Sequence, residues 1–208
     1  IAEMSPWNLS SMKWDLSGSN YVELKRGTVR DVYLAATPQF VISVIIGDDG
    51  LPNISSLTVG DLEVRDKRGN DMFSARHIHF RAERLFPSEL ANEKPTFDFN
   101  ADVQDFFLQK GFSFPMGRKI ESFHVKLQLL GPLKRPFNRE TLEAWRDGGG
   151  IIEISALEAR YGSMQMVASG TMALDRELQP LAAMSVNLQG YITALDQLRS
   201  VGVIGPGE

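Results

Sequence analysis

Apolar and polar residues alternate with a period of two along much of this chain, most clearly in its C-terminal half. The alternating segments there are 123–129, 152–156, 164–174 and 184–188. This period is typical of strands that bury one face. The last two segments flank the polar stretch Asp175–Pro180, which is able to turn. Residues Met164–Gly190 therefore predict a β-hairpin.

The N-terminal half follows a similar pattern less regularly. The β-branched run Phe40–Ile46 predicts a strand buried on both faces, and Asp48–Gly50 after it is a turn signal. A second hairpin is predicted from Leu57–Val64, the polar stretch Asp66–Asn70 and Phe73–Glu83. Both hairpins place a polar turn between alternating strands, so they form a weak internal repeat of pattern.

Two helices and a short third one are predicted among the strands. Asn138 is suited to cap a helix that ends at Gly148, and a second helix is expected over Tyr191–Val201. The third is expected over Ser88–Glu93. The predicted class is α+β, mainly β, with an extended antiparallel sheet of stacked hairpins and two or three short helices packed on it.

The predicted core combines the inward positions of these elements. It consists of Trp14, Phe40, Ile42, Val44, Ile78, Phe80, Val125, Leu127, Trp145, Ile152, Ile154, Leu195 and Leu198. The length of 208 residues fits one strand-rich domain over 1–208, with possible halves 1–110 and 111–208. The chain starts at Ile1 and ends on a glycine- and proline-rich stretch, so we expect it to be excised from a longer anchored or exported protein.

Composition removes several function classes. The net charge of -4, with 22 basic and 26 acidic residues, gives no nucleic-acid footprint. The absence of cysteine excludes a thiol nucleophile, a disulfide scaffold and a cysteine-ligated zinc. The longest apolar run is too short for a membrane-spanning helix. Nucleophile-elbow and phosphate-loop motifs are also missing from the sequence.

Two clusters resemble metal sites but are incomplete. His77 and His79 share one face of a strand, yet a third ligand is required and only His124 remains. The spacing of Asp98, Asn100 and Asp102 imitates a calcium loop, but position 103 is Val where glycine is needed. We therefore expect no metal site, no cofactor and no catalytic residues.

The candidate ligand contacts are four methionines and three arginines. The methionines occupy alternate positions of the last predicted hairpin, so their side chains are expected on one side of it; they are Met164, Met166, Met172 and Met184. Methionine is flexible and polarizable, so this face of the hairpin is suited to binding acyl chains. In the alternative interpretation the same face binds no ligand and packs under the two helices. Weaker candidates for lipid head-group contact are Arg76, Arg81 and Arg84, whose alternative role is to keep a solvated strand edge from aggregating.

A group of short motifs in the last part of the chain resembles a known family. The motifs are Leu129-Leu130-Gly131-Pro132-Leu133, Trp145, Gly148-Gly149-Gly150, Ala168-Ser169-Gly170-Thr171-Met172-Ala173-Leu174-Asp175 and Leu188-Gln189-Gly190. They are similar to a Gram-negative family of unknown function, domain of unknown function family 2125. The element from Gly170 to Asp175 is also similar to AsmA-like envelope proteins.

The resemblance implies a periplasmic protein with an inner-membrane anchor in a part absent from this chain. AsmA-like proteins form curved sheets with an apolar groove and are thought to move or organise lipids. The resemblance thus favours a non-catalytic envelope domain that binds lipid or another amphiphile on an apolar sheet face. The alternative is a structural or protein-interaction module of the envelope, whose partner is an envelope protein.

Overall fold

A single antiparallel sheet makes up most of the molecule in the computed structural model. The residues that the structure describes are 2–5, 8–26, 29–85, 95–108, 117–134, 137–200 and 202. Within them lie twelve strands and two helices, which confirms the predicted mainly-β class. The predicted helix at Ser88–Glu93 falls outside the described residues.

Most of the strands are long. They are β1 (Ala2–Ser5), β2 (Asn8–Asp15), β3 (Gly18–Arg26), β4 (Val29–Thr37), β5 (Gln39–Ile46), β6 (Pro52–Asp66), β7 (Asp71–Arg84), β8 (Pro95–Leu108), β9 (Lys119–Leu130), β10 (Ile151–Tyr161), β11 (Met164–Leu174) and β12 (Pro180–Gln189). The helices are α1 (Arg139–Asp147) and α2 (Tyr191–Ser200). The hairpin predicted over Met164–Gly190 corresponds to β11 and β12, and the earlier one to β6 and β7.

From β5 to β12 the sheet is a meander in which each strand pairs with the next one along the chain, whereas β2 pairs with β5 and β4 pairs with both β3 and β6. β4 and β5 lie end to end along the same edge of β6, and β2 and β3 lie end to end along β5 and β4. β4 and β5 are separated by Pro38. Thr37 before it is buried, and its hydroxyl contacts the carbonyl oxygen of Gly60. This hydroxyl holds the long strand together where the backbone ladder is broken.

Three of the hairpin turns have the same five-residue geometry. They begin at Gly47, Asp66 and Asp175, and in each the first amide bonds the fifth carbonyl while the fourth amide bonds the first carbonyl. The fourth residue has a positive φ, at Gly50, Gly69 and Leu178. This is the three-residue loop with a left-handed fourth position that hairpins favour. The two hairpins that share a sequence pattern therefore also share the geometry and hydrogen bonds of their turns.

Aspartate side chains reinforce these turns. Asp66 Oδ1 accepts hydrogen bonds from the amides of Arg68 and Asn70 at 2.7 and 2.9 Å. Asp175 Oδ1 accepts from the amides two and four positions later, at 2.9 and 2.8 Å. In the first turn, Asp49 accepts from the Leu51 amide at 3.0 Å. These bonds compensate amides that the ladder leaves unpaired.

The helix α1 forms where it was predicted. Asn138 Oδ1 accepts from the Thr141 amide at 2.9 Å, the Thr141 hydroxyl accepts from the Asn138 amide, and Gly148 ends the helix. Trp145 is 3% exposed and its Nε1 donates to the Leu130 carbonyl at 2.8 Å. Arg146 donates to backbone carbonyls of the β11–β12 turn. The helix is thus fixed to strand connections at one end of the sheet.

The predicted core is largely incorrect in its degree of burial. Of its thirteen members only Trp145 is buried, Phe80 and Leu195 are exposed, and the others are half-buried. β5 is not buried on both faces either, because six of its residues are half-buried and Gln39 and Ile45 are exposed. The physical reason is that, among the described residues, extensive contacts join only strands that are neighbours in the sheet. A sheet without a second layer leaves the tips of its apolar side chains uncovered.

We predict that Trp145→Ala lowers the free energy of unfolding by about 3–5 kcal/mol, because it removes a buried ring and a hydrogen bond. The loss should be measured by urea denaturation. Trp14→Ala is the matched control, since Trp14 is half-buried on the open sheet. Its loss should be less than half as large, and equal losses would contradict the single buried anchor described for α1.

A second prediction concerns the β5–β6 turn. Arg84 donates to both carboxylate oxygens of Asp49 at 2.7 and 2.8 Å. These bonds, with that from the Leu51 amide, lower the pKa of Asp49 from 3.8 to about 2. A carboxylate whose pKa falls on folding stabilises the folded state above its unfolded pKa, and this contribution is lost as the pH falls toward the folded pKa.

The difference in unfolding free energy between the natural chain and Asp49→Asn should therefore be constant above about pH 5 and shrink between about pH 4 and pH 2. Urea denaturation across this pH range measures it. Asp48→Asn is the control, because Arg84 donates to Asp49 and not to its neighbour. A pH-independent difference for Asp49→Asn would show that the ion pair does not form.

Candidate functional site

One side of the sheet carries a continuous field of apolar side chains. Residues that pair directly across antiparallel strands point to the same side, so the registers define rows. The first row is Trp14, Ile42, Leu57, Phe80, Ala101, Val125, Leu157, Ala168 and Val186. The second is Phe40, Val59, Ile78, Val103, Phe123, Ala159, Met166 and Leu188.

Two further rows extend this field. The third is Met12, Val44, Ser55, Ala82, Phe99, Leu127, Ile154, Gly170 and Met184. The fourth is Phe97, Leu129, Ile152, Met172 and Ala182. We call the four rows the apolar face. It extends from β2 to β12, and Ser55 has the single polar side chain among the residues of these rows. On β7 the fourth row is bounded by Arg84, which pairs with Phe97 and lies on the same side.

The opposite side of the sheet is polar in the same region. Its central row contains Thr58, His79, Asp102, His124 and Glu158. Thr58 Oγ1 lies 3.2 Å from His79 Nδ1, and Asp102 Oδ1 lies 2.7 Å from His124 Nδ1. These side chains hydrogen-bond one another within a solvated surface, so the sheet has one wet and one apolar side.

The two helices leave the apolar face uncovered within the described part of the chain. α1 contacts the β9–β10 connection, where Trp145 lies against Gly131 and Gly150. α2 follows β12 and approaches β11, burying only Ala194. Most side chains of the face are half-buried. Those of Val59, Leu129 and Ala168 are buried, and the exposed ones are Phe80, Ala182, Met184, Val186 and Leu188.

The four methionines selected from the sequence all belong to this side of the sheet. Met166 pairs with Leu188, Met172 with Ala182, and Met184 with Gly170, whereas Met164 pairs with Tyr161 at the end of the hairpin. Gly170 has no room for a side chain, because an added Cβ would collide with backbone atoms of β12. The resulting gap lies between Ile154 and Met184.

Two concave regions differ in character. A pocket of about 260 Å³ lies on the apolar face, and its lining includes Phe97, Phe99, Leu129, Leu133 and Phe137. A larger hollow of about 770 Å³ lies at the β6–β7 turn and is more polar. We favour the smaller one as a ligand site, since it is continuous with the apolar face. Sequence reasoning missed it because Leu133 and Phe137 come from a connection without a periodic pattern.

The three arginines do not form a common cluster. Arg76 Nε binds Asp105 at 2.9 Å, and Arg81 binds Glu83 at 2.9 Å on the polar side. Arg84 lies on the same side of the sheet as the apolar face, at the margin of the smaller pocket. Its guanidinium donates hydrogen bonds to Asp49 and Asn53. A phosphate would have to compete with a carboxylate at each of them.

The histidines and the calcium-like stretch are used for contacts within the sheet. The rings of His77 and His79 stack with centroids 6.4 Å apart. His124 is two strands from His79, about 10 Å away by strand spacing. Asp98 accepts from Gln128, and Asp102 contacts His124. Within the described ranges there is no group of three or more His, Cys, Asp or Glu residues able to hold a metal ion.

Neither α1 nor α2 is long and apolar enough to cross a membrane, and the described residues contain no other helix.

Comparison with models of known protein families identifies the family of the chain. The family model described as "Uncharacterized protein conserved in bacteria (DUF2125)" matches residues 2–208. No curated protein and no solved structure matches the chain. The resemblance inferred from the short motifs near the C-terminus is thereby confirmed over nearly the whole sequence. The chain belongs to the DUF2125 family of uncharacterised bacterial proteins.

Proposed function

We propose that this chain is a non-catalytic domain that binds the acyl chains of lipids on the apolar face. The observation that carries the proposal is the extent of this face, from β2 to β12, with no described helix over it. Contiguous exposed apolar surface on this scale is typical of interaction sites rather than of an inert exterior.

The chemistry of the face selects the class of ligand. Inside the sheet, backbone amides and carbonyls are consumed by pairing between strands, so they are not available to a ligand lying on the face. The side chains of its four rows are aliphatic, aromatic or thioether groups, apart from Ser55. A molecule bound there gains hydrophobic burial and dispersion but few directional contacts. Alkyl chains meet this condition, whereas sugars, nucleotides and polar peptides do not.

The methionines adapt this surface to chains of varying shape. Met166, Met172 and Met184 lie close to the notch at Gly170, near the exposed end of the sheet. Their thioether side chains rearrange at low energetic cost and fill irregular spaces. The aromatic pocket formed by Phe97, Phe99 and Phe137 gives a second, more rigid contact region for an alkyl chain.

We further propose that the protein works in the periplasm, attached to the inner membrane through a part outside this chain. The resemblance of the short element from Gly170 to Asp175 to AsmA-like envelope proteins supports this location, and so does a surface suited to lipids. The alternative, a protein-interaction module, is favoured by a different feature, the exposed edge of β12.

Lipid binding is expected to depend on one face of β11 and not on the other. Native mass spectrometry of the purified chain with a mixture of phosphatidylethanolamine and phosphatidylglycerol should show discrete bound lipid masses. Met166→Lys combined with Met172→Lys should abolish them, because an alkyl chain lying on the face would have to strip the hydration from two lysine charges. Val167→Lys combined with Thr171→Lys is the matched control on the same strand, since both residues are exposed on the polar side.

Circular dichroism would establish that both double variants keep the sheet. Loss of lipid from the methionine variant alone supports the proposal. A lipid-free mass for the natural chain, or equal binding by both variants, would contradict it.

A further inference from the structure

The last strand of the sheet, β12, is an unprotected edge. All ten residues of Pro180–Gln189 are exposed, and none of them is charged. Leu181 and Val186 are 59% and 57% exposed. No described strand pairs with its outer side. About every second residue of an antiparallel edge directs its amide and carbonyl outward, so β12 presents a row of free hydrogen-bonding groups.

The other edges of the sheet are protected. β1 has only four residues. β3, which pairs with β4 alone, carries Glu23 and Lys25. Short length and charge are the usual means by which natural sheets avoid edge-to-edge association. Protection at these edges and its absence along β12 indicate that β12 has a partner.

We propose that β12 pairs antiparallel with β12 of a second copy of this chain. Only one edge of the described sheet is unprotected, so head-to-tail association would require a complementary edge that β1 and β3 do not offer. A two-fold arrangement uses the same edge twice and closes the assembly. It also satisfies the outward amides and carbonyls of both copies. The inference goes beyond lipid binding and does not depend on it.

The sequence of β12 is compatible with itself in such a pair. With the two-fold axis at Met184, Ala182 lies opposite Val186 and Pro180 opposite Leu188, all on the side of the apolar face. On the other side, Ala183 lies opposite Ser185 and Leu181 opposite Asn187. No like charges meet, because the strand has none. The apolar faces of the two copies then join into one surface across the axis.

Oligomeric state tests the pairing directly. Multi-angle light scattering of the natural chain should give twice the monomer mass of 23.2 kDa. Met184→Lys should give the monomer mass, because two lysines would meet at the axis with Cβ atoms about 5 Å apart. Val167→Lys is the matched control, since this exposed valine lies on β11 and not on the edge. It should remain a dimer.

A cysteine placed at the axis tests the register. The natural chain has no cysteine, so a single one can react only with its counterpart in another copy. Met184→Cys should form an intermolecular disulfide under mild oxidation, because directly opposed residues meet the distance requirement. Val167→Cys should not. A monomeric mass for the natural chain at every concentration, or a dimer that survives Met184→Lys without cross-linking of Met184→Cys, would overturn the proposal.

Discussion

The antiparallel hydrogen-bond ladder between neighbouring strands is the interaction on which the rest of this structure depends. It satisfies the backbone of long strands without a second layer, and it places alternate side chains in rows that continue from strand to strand. A slip of one residue in any pair would transfer that strand's apolar residues to the wet side. The tight turns at Asp66 and Asp175 help to fix the register against such a slip.

A single-layer sheet explains both the scarcity of buried residues and the candidate site. Domains normally bury an apolar sheet face against another layer. Here Trp145 fixes one helix to the end of the sheet, while the apolar face keeps half-exposed side chains such as Phe99 and Leu127. Within the described part of the chain no second layer covers this face, which is the physical reason to expect a ligand. Alkyl chains are the ligand class whose chemistry matches the face. The uncharged edge strand β12 belongs to the same surface. Pairing of β12 between two copies would therefore join their apolar faces into one larger lipid-binding surface.

Local sequence pattern predicted most of the elements but not how they cover one another. Alternation identified the strands of the last hairpin, and Asn138 with Gly148 marked the ends of α1, because these signals depend on near neighbours. The common orientation of Met166, Met172 and Met184 was likewise predicted. The exposure of Phe80 and Leu195, both predicted to lie in the core, was not foreseen, since burial depends on whether a second layer exists. The ion pair of Arg84 with Asp49 joins residues far apart in sequence, so periodicity gave no sign of it.

The most direct test of an acyl-chain site is methionine methyl NMR in the presence of a spin-labelled stearate. The methyl signals of Met166, Met172 and Met184 should broaden strongly, because these residues lie on the apolar face. The signal of Met72, beside the β6–β7 turn, should broaden far less, since this residue lines the more polar hollow. Equal broadening of all four signals, or none, would contradict the assignment of the apolar face as the lipid-binding surface.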